Sequence, residues 1–426
     1  MKEETDNRLV FFIDGEKLRE FACSPSGYEM TGIGYEWEGE NVFHLHFSPI
    51  PHSFGQTHQV LFTRKEKSCE PSGGITVYVK DDGTAEVWYG QARFCPEIIP
   101  AKADLYSRNK GLIELDILES KRVMVVGLGS FGSQISIELA KAGVGEFALM
   151  DFDRIELHYL ARHTATTHDL GRLKTDVIAD AITGKNPYAK IERFAIDIND
   201  YPELLIEQCN KADVVICATD NNKSRFNLSD ALVKTSTVGI FGRAITRAEG
   251  GDVFCYRPGG PCYCCLLGNG WYDATMEEIT DEVSARRNGR IAAYTSAEDA
   301  DAMVQVGLSA DIEPMCNMMV KLALVELSKR NKSGITSLEK EFVFPYYMWA
   351  NRRERNYTNW ASFANPGHMP TIMRWYGVEL ERDEHCALCG TASNLDTGDD
   401  FINTYGNKTS HIVIDSTINL DDLKKH

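Results

Sequence analysis

Residues 122–132 read RVMVVGLGSFG, and the fold is decided there. RVMVVGL (122–128) is an apolar run without alternation, as expected for a strand buried on both faces of a parallel sheet. Gly127, Gly129 and Gly132 then permit a tight turn and close backbone approach. SFGSQISIELAKAG (130–143) has helical periodicity and reaches a plausible C-cap at Gly143. A strand, a glycine turn and a helix in this order present free N–H groups and a partial positive charge to a phosphate. Asp151 closes the next apolar run, EFALMD (146–151), where an acid can hold a ribose hydroxyl. A glycine-rich turn with no ligand is the plainer reading, and the acid at the second strand end weighs against it.

Outward from this unit, KIERFAI (190–196), a helical 202–210, ADVVICATD (212–220) and TVGIFGRAI (237–245) continue the alternation of strand and helix. The expected class is therefore α/β: a Rossmann-like nucleotide-binding domain with a mixed, mainly parallel sheet. ADIEPMCNMMVKLALVELSKR (310–330) is the most apolar helical stretch. Residues 1–100 read as a β-rich N-terminal module, with runs such as VFHLHF (42–47) and HQVLFTR (58–64) and no helix-period segment of comparable strength. In ITVYVKDDGTAEVWYG (75–90), Asp82-Gly83 between two β-rich runs marks a hairpin. The polar 270–305 suggests a long loop with a short helical piece near 275–286, and the tail contains the strand-like FVFPYYMWA (342–350). The expected division is 1–100, 101–330 and a C-terminal extension, 331–426.

The chain has 426 residues and a formal net charge of −17, which argues against a general nucleic-acid binder. The opening MKEETDNRLVFF lacks a signal-peptide core, and no uncharged apolar run reaches the roughly 18 residues of a membrane helix. The expectation is a soluble, cytoplasmic protein, without nucleic-acid or membrane partners, whose 12 Cys are reduced.

Beyond Asp151 and Asp153, the segment IELHYLARH…DLGRLK supplies Arg162 and Lys174. A dinucleotide dehydrogenase has no need of these cations, whereas an enzyme that expels pyrophosphate uses them on the leaving group. Asp220 closes a strand at the edge where α/β sheets bind ligands, and could hold Mg2+ against phosphates. Taken singly, each is as readily a solvated or capping residue. Two Cys-x-x-Cys pairs, Cys262/Cys265 and Cys386/Cys389, can supply four thiolates to a structural Zn2+ and staple the tail to the core. Cys264 and His385 are spare ligands, and unpaired buried thiols are the plainer alternative.

These features, taken in order, resemble the ThiF/MoeB branch of the ubiquitin-activating-enzyme superfamily. They are LYSRN (105–109), GLGSFG (127–132), DFD (151–153), YLARH (159–163), GRLK (171–174), ATDNNKSR (218–225) and the two cysteine pairs. The resemblance implies adenylation, with Mg-ATP, of the C-terminal glycine of a ubiquitin-like protein. It implies ribose binding by Asp151 with Asp153 nearby, phosphate contacts from Arg162 and Lys174, and Mg2+ on Asp220. It implies that Arg108 reaches into a partner protomer's site, and hence a homodimer. The family's Asn-Leu-x-Arg-Gln reads Tyr159-Leu160-Ala161-Arg162-His163 here, which removes an amide at each end. Tyr159 could stack; His163 could replace one amide hydrogen bond. The nucleophile would be a carboxylate already ionised at neutral pH, so no general base is required.

Many relatives pass the acyl group to an enzyme cysteine, often in the loop after the first zinc pair. Residues 266–315 contain no Cys. Cys316 sits in the apolar helix, Cys217 and Cys255 in strands, and Cys264 in the knuckle; none has the exposure and positive surroundings of a reactive thiol. The expectation leans to an enzyme that stops at the acyl-adenylate. His44 and His46, with His52 and His58 nearby, read as a polar strand face before a metal site. The N-terminal module more plausibly recruits a modifier or a conjugating enzyme. The resemblance extends to bacterial ubiquitin-like conjugation operons, some of which act against phage. The alternatives are a sulfur-carrier-protein adenylyltransferase of the thiamine or molybdopterin type, a peptide-modifying adenylase, an NAD-dependent oxidoreductase and a non-catalytic scaffold.

Overall fold

The computed structural model describes residues 8–37, 40–49, 55–65, 74–99, 105–244, 248, 250–268, 307–331, 335–351 and 372–390. The chain forms two compact units, Met1–Arg108 and Asn109–His426.

In the first unit β1 (Val10–Asp14) runs directly into α1 (Gly15–Ala22). The carboxylate of Asp14 caps that helix, accepting from the N–H groups of Glu16 at 2.8 Å and Lys17 at 2.9 Å. Seven further strands complete the unit: β2 (Glu29–Trp37), β3 (Val42–His46), β4 (Gln56–Thr63), β5 (Ile75–Val79), β6 (Ala85–Tyr89), β7 (Ala92–Phe94) and β8 (Glu97–Ile99). They form one sheet in the order β7-β6-β5-β4-β2-β3-β1-β8. β1 pairs in parallel with β3 and β8, and β4 with β5, so the sheet is mixed. Leu18 and Phe21 of α1 bury against Phe11, Ile13, Phe43, Leu45 and Val60 on one sheet face. The hairpin expected at Asp82-Gly83 joins β5 to β6, with Gly83 at φ +80°. α1 corrects the expectation of a module without a helix: two turns with two buried apolar residues are too short to leave a periodic signal.

In the second unit α2 (Leu115–Glu119) precedes β9 (Arg122–Val126), which enters the glycine turn and α3 (Ser130–Ala142). Gly143 caps α3 in the left-handed region, at φ +106°. Then come β10 (Glu146–Met150), α4 (Lys174–Lys185), β11 (Lys190–Phe194), α5 (Pro202–Lys211), β12 (Val214–Cys217), α6 (Asn222–Thr235), β13 (Val238–Ala244), β14 (Gly250–Tyr256) and α7 (Tyr263–Gly268). α8 (Ser309–Ser328), α9 (Thr336–Glu341), β15 (Tyr346–Ala350) and β16 (Arg374–Val378) follow. The sheet order is β11-β10-β9-β12-β13-β14-β15-β16, parallel through β13 and antiparallel from there. The helical piece expected near 275–286 lies outside the described residues.

Strand alternation sends each central strand into two cores. Val123, Val125, Phe147 and Leu149 pack with Ile135 and Leu139 of α3 and Met315 and Met319 of α8. Met124, Val126, Ala148 and Met150 pack on the other face with Leu205, Leu228, Leu232 and the cysteines of α7. Burial on both faces is why 122–128 shows no polar alternation. No helix among the described residues is long and apolar enough to cross a membrane.

Replacing Asp14 by Ala removes the α1 cap and should lower the stability of the first unit by about 1 kcal/mol. Urea unfolding monitored by Trp fluorescence checks this; an unchanged midpoint contradicts the capping role.

Candidate nucleotide site and cysteine cluster

The glycine turn is built by close approach. A Cβ on Gly132 would lie 1.9 Å from the Gly127 carbonyl oxygen, and one on Gly127, at φ +83°, would lie 2.7 Å from the Ala218 oxygen. Gly129 differs: a Cβ there meets nothing within 4 Å. The turn therefore needs Gly127 and Gly132 for its own packing, while Gly129 borders open space at the N-cap of α3.

Asp151 ties this turn to the next strand end. Its Oδ2 accepts from the Leu128 N–H at 2.7 Å and its Oδ1 from the Asp153 N–H at 2.8 Å. Burial nonetheless holds its carboxyl above the ordinary Asp range, against the pull of Lys174 and these two N–H groups. Lys174 opens α4 and is only 4% exposed. Its Nζ donates to Asp153 Oδ2 at 2.7 Å and stands 4.3 Å from the centre of the Tyr159 ring. Burial alone would lower the Lys174 pKa, but Asp151 and Asp153 outweigh it and raise it above the usual Lys range. An ammonium ion thus sits fixed against Asp153, with Asp151, the acid that holds the glycine turn, adding to its field.

His163 is buried and donates from Nε2 to the Leu128 carbonyl at 2.7 Å, while its Nδ1 accepts from the Ala165 N–H at 2.9 Å. Arg162 is half-buried and lines a cavity of about 410 Å³ with His163, Gln134, Glu313, Cys316 and Asn317. Asp220 is exposed beyond β12, one residue past Thr219, whose N–H abuts Gly127. The Asn221 side chain contacts its Oδ1 at 3.4 Å. An exposed carboxylate of this kind has the donor chemistry Mg2+ takes. Arg225 is buried and braces this loop, donating to the Thr219 carbonyl at 2.6 Å. Arg108 closes the first unit and is exposed.

The sulfur atoms of Cys262, Cys265, Cys386 and Cys389 all lie within 4.8 Å of one another, and all four residues are buried. Cys262–Cys386 and Cys265–Cys389 are each 3.4 Å apart, and Cys262–Cys265 3.8 Å. Tetrahedral zinc at about 2.3 Å from each sulfur would set neighbouring sulfurs about 3.8 Å apart, so the donor set fits. The Asp383 N–H points at Cys265 Sγ, 3.5 Å away, as expected around a thiolate. Among the described residues this is the group able to hold a metal; Cys264, His385, His44 and His46 do not join one. His52 lies outside the described residues. His58 is paired with Glu36 at 2.6 Å.

A family model described as the ThiF family matches residues 106–356, more than half of the chain. The chain belongs to the ThiF family. Over 155 residues it is 36% identical to the molybdopterin-synthase adenylyltransferase of Escherichia coli, a match covering 35% of this chain and 60% of that relative. It is 32% identical over 156 residues to the sulfur carrier protein adenylyltransferase of Thermus thermophilus, covering 35% and 56%. This ThiF-family chain therefore spans less than two thirds of the length of these relatives. Among solved structures it is similar to Escherichia coli MccB, with a TM-score of 0.46 at 18% identity over 67% of this chain and 69% of that one.

The structure brings together Gly127, Gly129, Gly132, Asp151, Asp153 and Lys174, and gathers the four cysteines. Arg162 joins the glycine turn through its neighbour His163. Sequence reasoning missed the Tyr159–Lys174 contact and the Arg225 brace. The hint for Arg225 was its place at the end of ATDNNKSR, where an Arg in the first turn of the following helix could reach back to the loop.

Gly132→Ala should destabilise the second unit, whereas Gly129→Ala should leave it folded and weaken ATP binding. Thermal unfolding and ATP calorimetry on both variants check the contrast, and equal effects contradict it. Cys386→Ser should lower bound zinc, measured by mass spectrometry, from one ion per chain; full retention of zinc in a folded variant contradicts the four-sulfur site.

Proposed function

We propose that this protein uses Mg-ATP to adenylate the C-terminal carboxylate of a ubiquitin-like protein. The observation that carries the reading is the buried Lys174 ammonium, bonded to Asp153 and interacting with the charge of Asp151, the acid that holds the Leu128 N–H of the Gly127–Gly132 turn. In this reading the carboxylate attacks the α-phosphorus of ATP, the bond from that phosphorus to the bridging oxygen breaks, and pyrophosphate leaves. Lys174 and Arg162 offset the charge that grows on the leaving group. The Gly129 N–H and the α3 N-terminus receive phosphate oxygens, and Asp151 receives the ribose. Mg2+, held by Asp220, would shield the repulsion between two anions. The step then depends on alignment and charge, with no general base.

The cysteines bear on the fate of the acyl-adenylate. Nine lie beyond residue 108: Cys209, Cys217, Cys255, Cys262, Cys264, Cys265, Cys316, Cys386 and Cys389, and all are buried. Burial pushes the Cys209 and Cys255 thiols up to about 12 and raises Cys316 further. This supports an enzyme whose acyl-adenylate is consumed by a nucleophile from outside the second unit. We place it in a bacterial ubiquitin-like conjugation pathway, with antiphage defence among the roles such operons serve. In this proposal Arg108 serves a second protomer of a homodimer, and the first unit recruits the modifier or a conjugating enzyme. Zinc in the sulfur cluster would be structural. The names of the curated relatives favour a second reading, adenylation of a sulfur-carrier protein, which uses the same chemistry on a different carrier.

ATP–pyrophosphate exchange tests this. Exchange should require a modifier with an intact C-terminal glycine, and Lys174→Ala and Asp220→Ala should each lower it at least about a hundredfold per folded chain, the folded fraction being read by thermal unfolding. Binding of NADH without exchange contradicts the proposal; unchanged exchange in either variant removes that residue from the site.

A further inference from the structure

The two bonds of His163 fix the state of its ring. Because the Ala165 N–H donates to Nδ1, at 2.9 Å, the ring proton lies on Nε2. That Nε2–H donates to the Leu128 carbonyl oxygen at 2.7 Å. The ring is 8% exposed. Burial pushes its pKa down to about 4, with Lys174 adding to the effect and the Leu128 bond and Asp169 opposing it. His163 is therefore a neutral, single-tautomer donor near pH 7.

Its acceptor lies in the glycine turn. The Leu128 N–H is held by Asp151 at 2.7 Å, and the Leu128 carbonyl by His163. That carbonyl shares one planar trans peptide group with the Gly129 N–H, and the two point in opposite directions. Holding the carbonyl on His163 aims the Gly129 N–H away from the imidazole. Gly129 is the glycine of the turn that borders open space. The same ring follows Arg162 in sequence, so the segment carrying that cation is tied to the turn.

We infer that His163 is a positioning residue for phosphate binding: its Nε2–H locks the Leu128–Gly129 peptide with the Gly129 N–H turned toward the nucleotide. This rests on the nucleotide reading of the glycine turn proposed above. Glutamine could serve in the same place, since its amide carries one donor and one acceptor. Leucine fills the space and offers neither.

The test uses the full chain and ATP itself. His163→Leu should weaken ATP binding in calorimetry about tenfold, and His163→Gln should restore it to within about threefold of the parent chain. In pyrophosphate exchange the Leu variant should raise KM for ATP while KM for the carboxylate partner stays put. A merely structural role would lower the apparent kcat through the folded fraction and leave both KM values unchanged. Nitrogen-15 NMR of the parent chain at pH 7 should show a neutral His163 ring protonated at Nε2, which keeps the inference falsifiable if the Leu variant does not fold. An Nδ1–H tautomer, an imidazolium ring, or a folded Leu variant with parental ATP affinity overturns it. A chain that binds ATP with this His163 dependence but never exchanges pyrophosphate overturns the adenylation reading and leaves His163 standing. A chain that does not bind ATP at all overturns both.

Discussion

A buried ammonium ion is the constraint around which the second unit is arranged. Lys174 is 4% exposed, and a charge so placed is costly unless partners surround it. Asp153 supplies a direct bond, Asp151 a second negative charge and Tyr159 a ring face. Both acids are also tied to the backbone around them. Asp151 holds the Leu128 N–H, and the Asp153 carbonyl accepts from the Lys174 backbone N–H at 3.0 Å. Removing the cation would leave two carboxylates facing each other, so one charge organises the strand end, the glycine turn and the start of α4. Lys174 Nζ is already bonded to Asp153 Oδ2 at 2.7 Å. A phosphate would therefore have to draw Lys174 from Asp153 or arrive with a cation of its own.

The rest of the second unit keeps that arrangement in place. β9, β10 and β12 lie side by side in parallel, so their C-terminal ends, with the glycine turn, Asp151 and the Ala218–Asp220 loop, share one sheet edge. The two cores pin the strands from both faces. The cysteine cluster belongs to the second of these cores and joins residues 386–389 to α7. A zinc ion there would contribute stability that the short elements of the tail do not generate alone.

Much of this was legible in the sequence because local rules dictate it. The continuous apolar run of β9, Gly127 and Gly132 at a close approach, Gly143 at a left-handed cap and the Asp82-Gly83 hairpin each arise from backbone sterics at one place. The cysteine pairs were legible because thiolate geometry constrains their spacing. Nothing local reveals that β1 pairs in parallel with β3 and β8, since such pairing is decided by distant segments. α1 left too short a pattern to read. At the site, Tyr159 and His163 read as losses of amides. Their roles became visible only when the fold placed the ring of one against Lys174 and the nitrogen of the other on Leu128.

The most direct measurement of the central claim is a crystal structure of the chain with Mg2+ and a nonhydrolysable ATP analogue. The account predicts phosphates at the Gly129 N–H, the ribose against Asp151, and Lys174 Nζ on a phosphate oxygen in place of Asp153. A nucleotide seated away from the Gly127–Gly132 turn, or a Lys174 still bonded to Asp153 and remote from the phosphates, would contradict it.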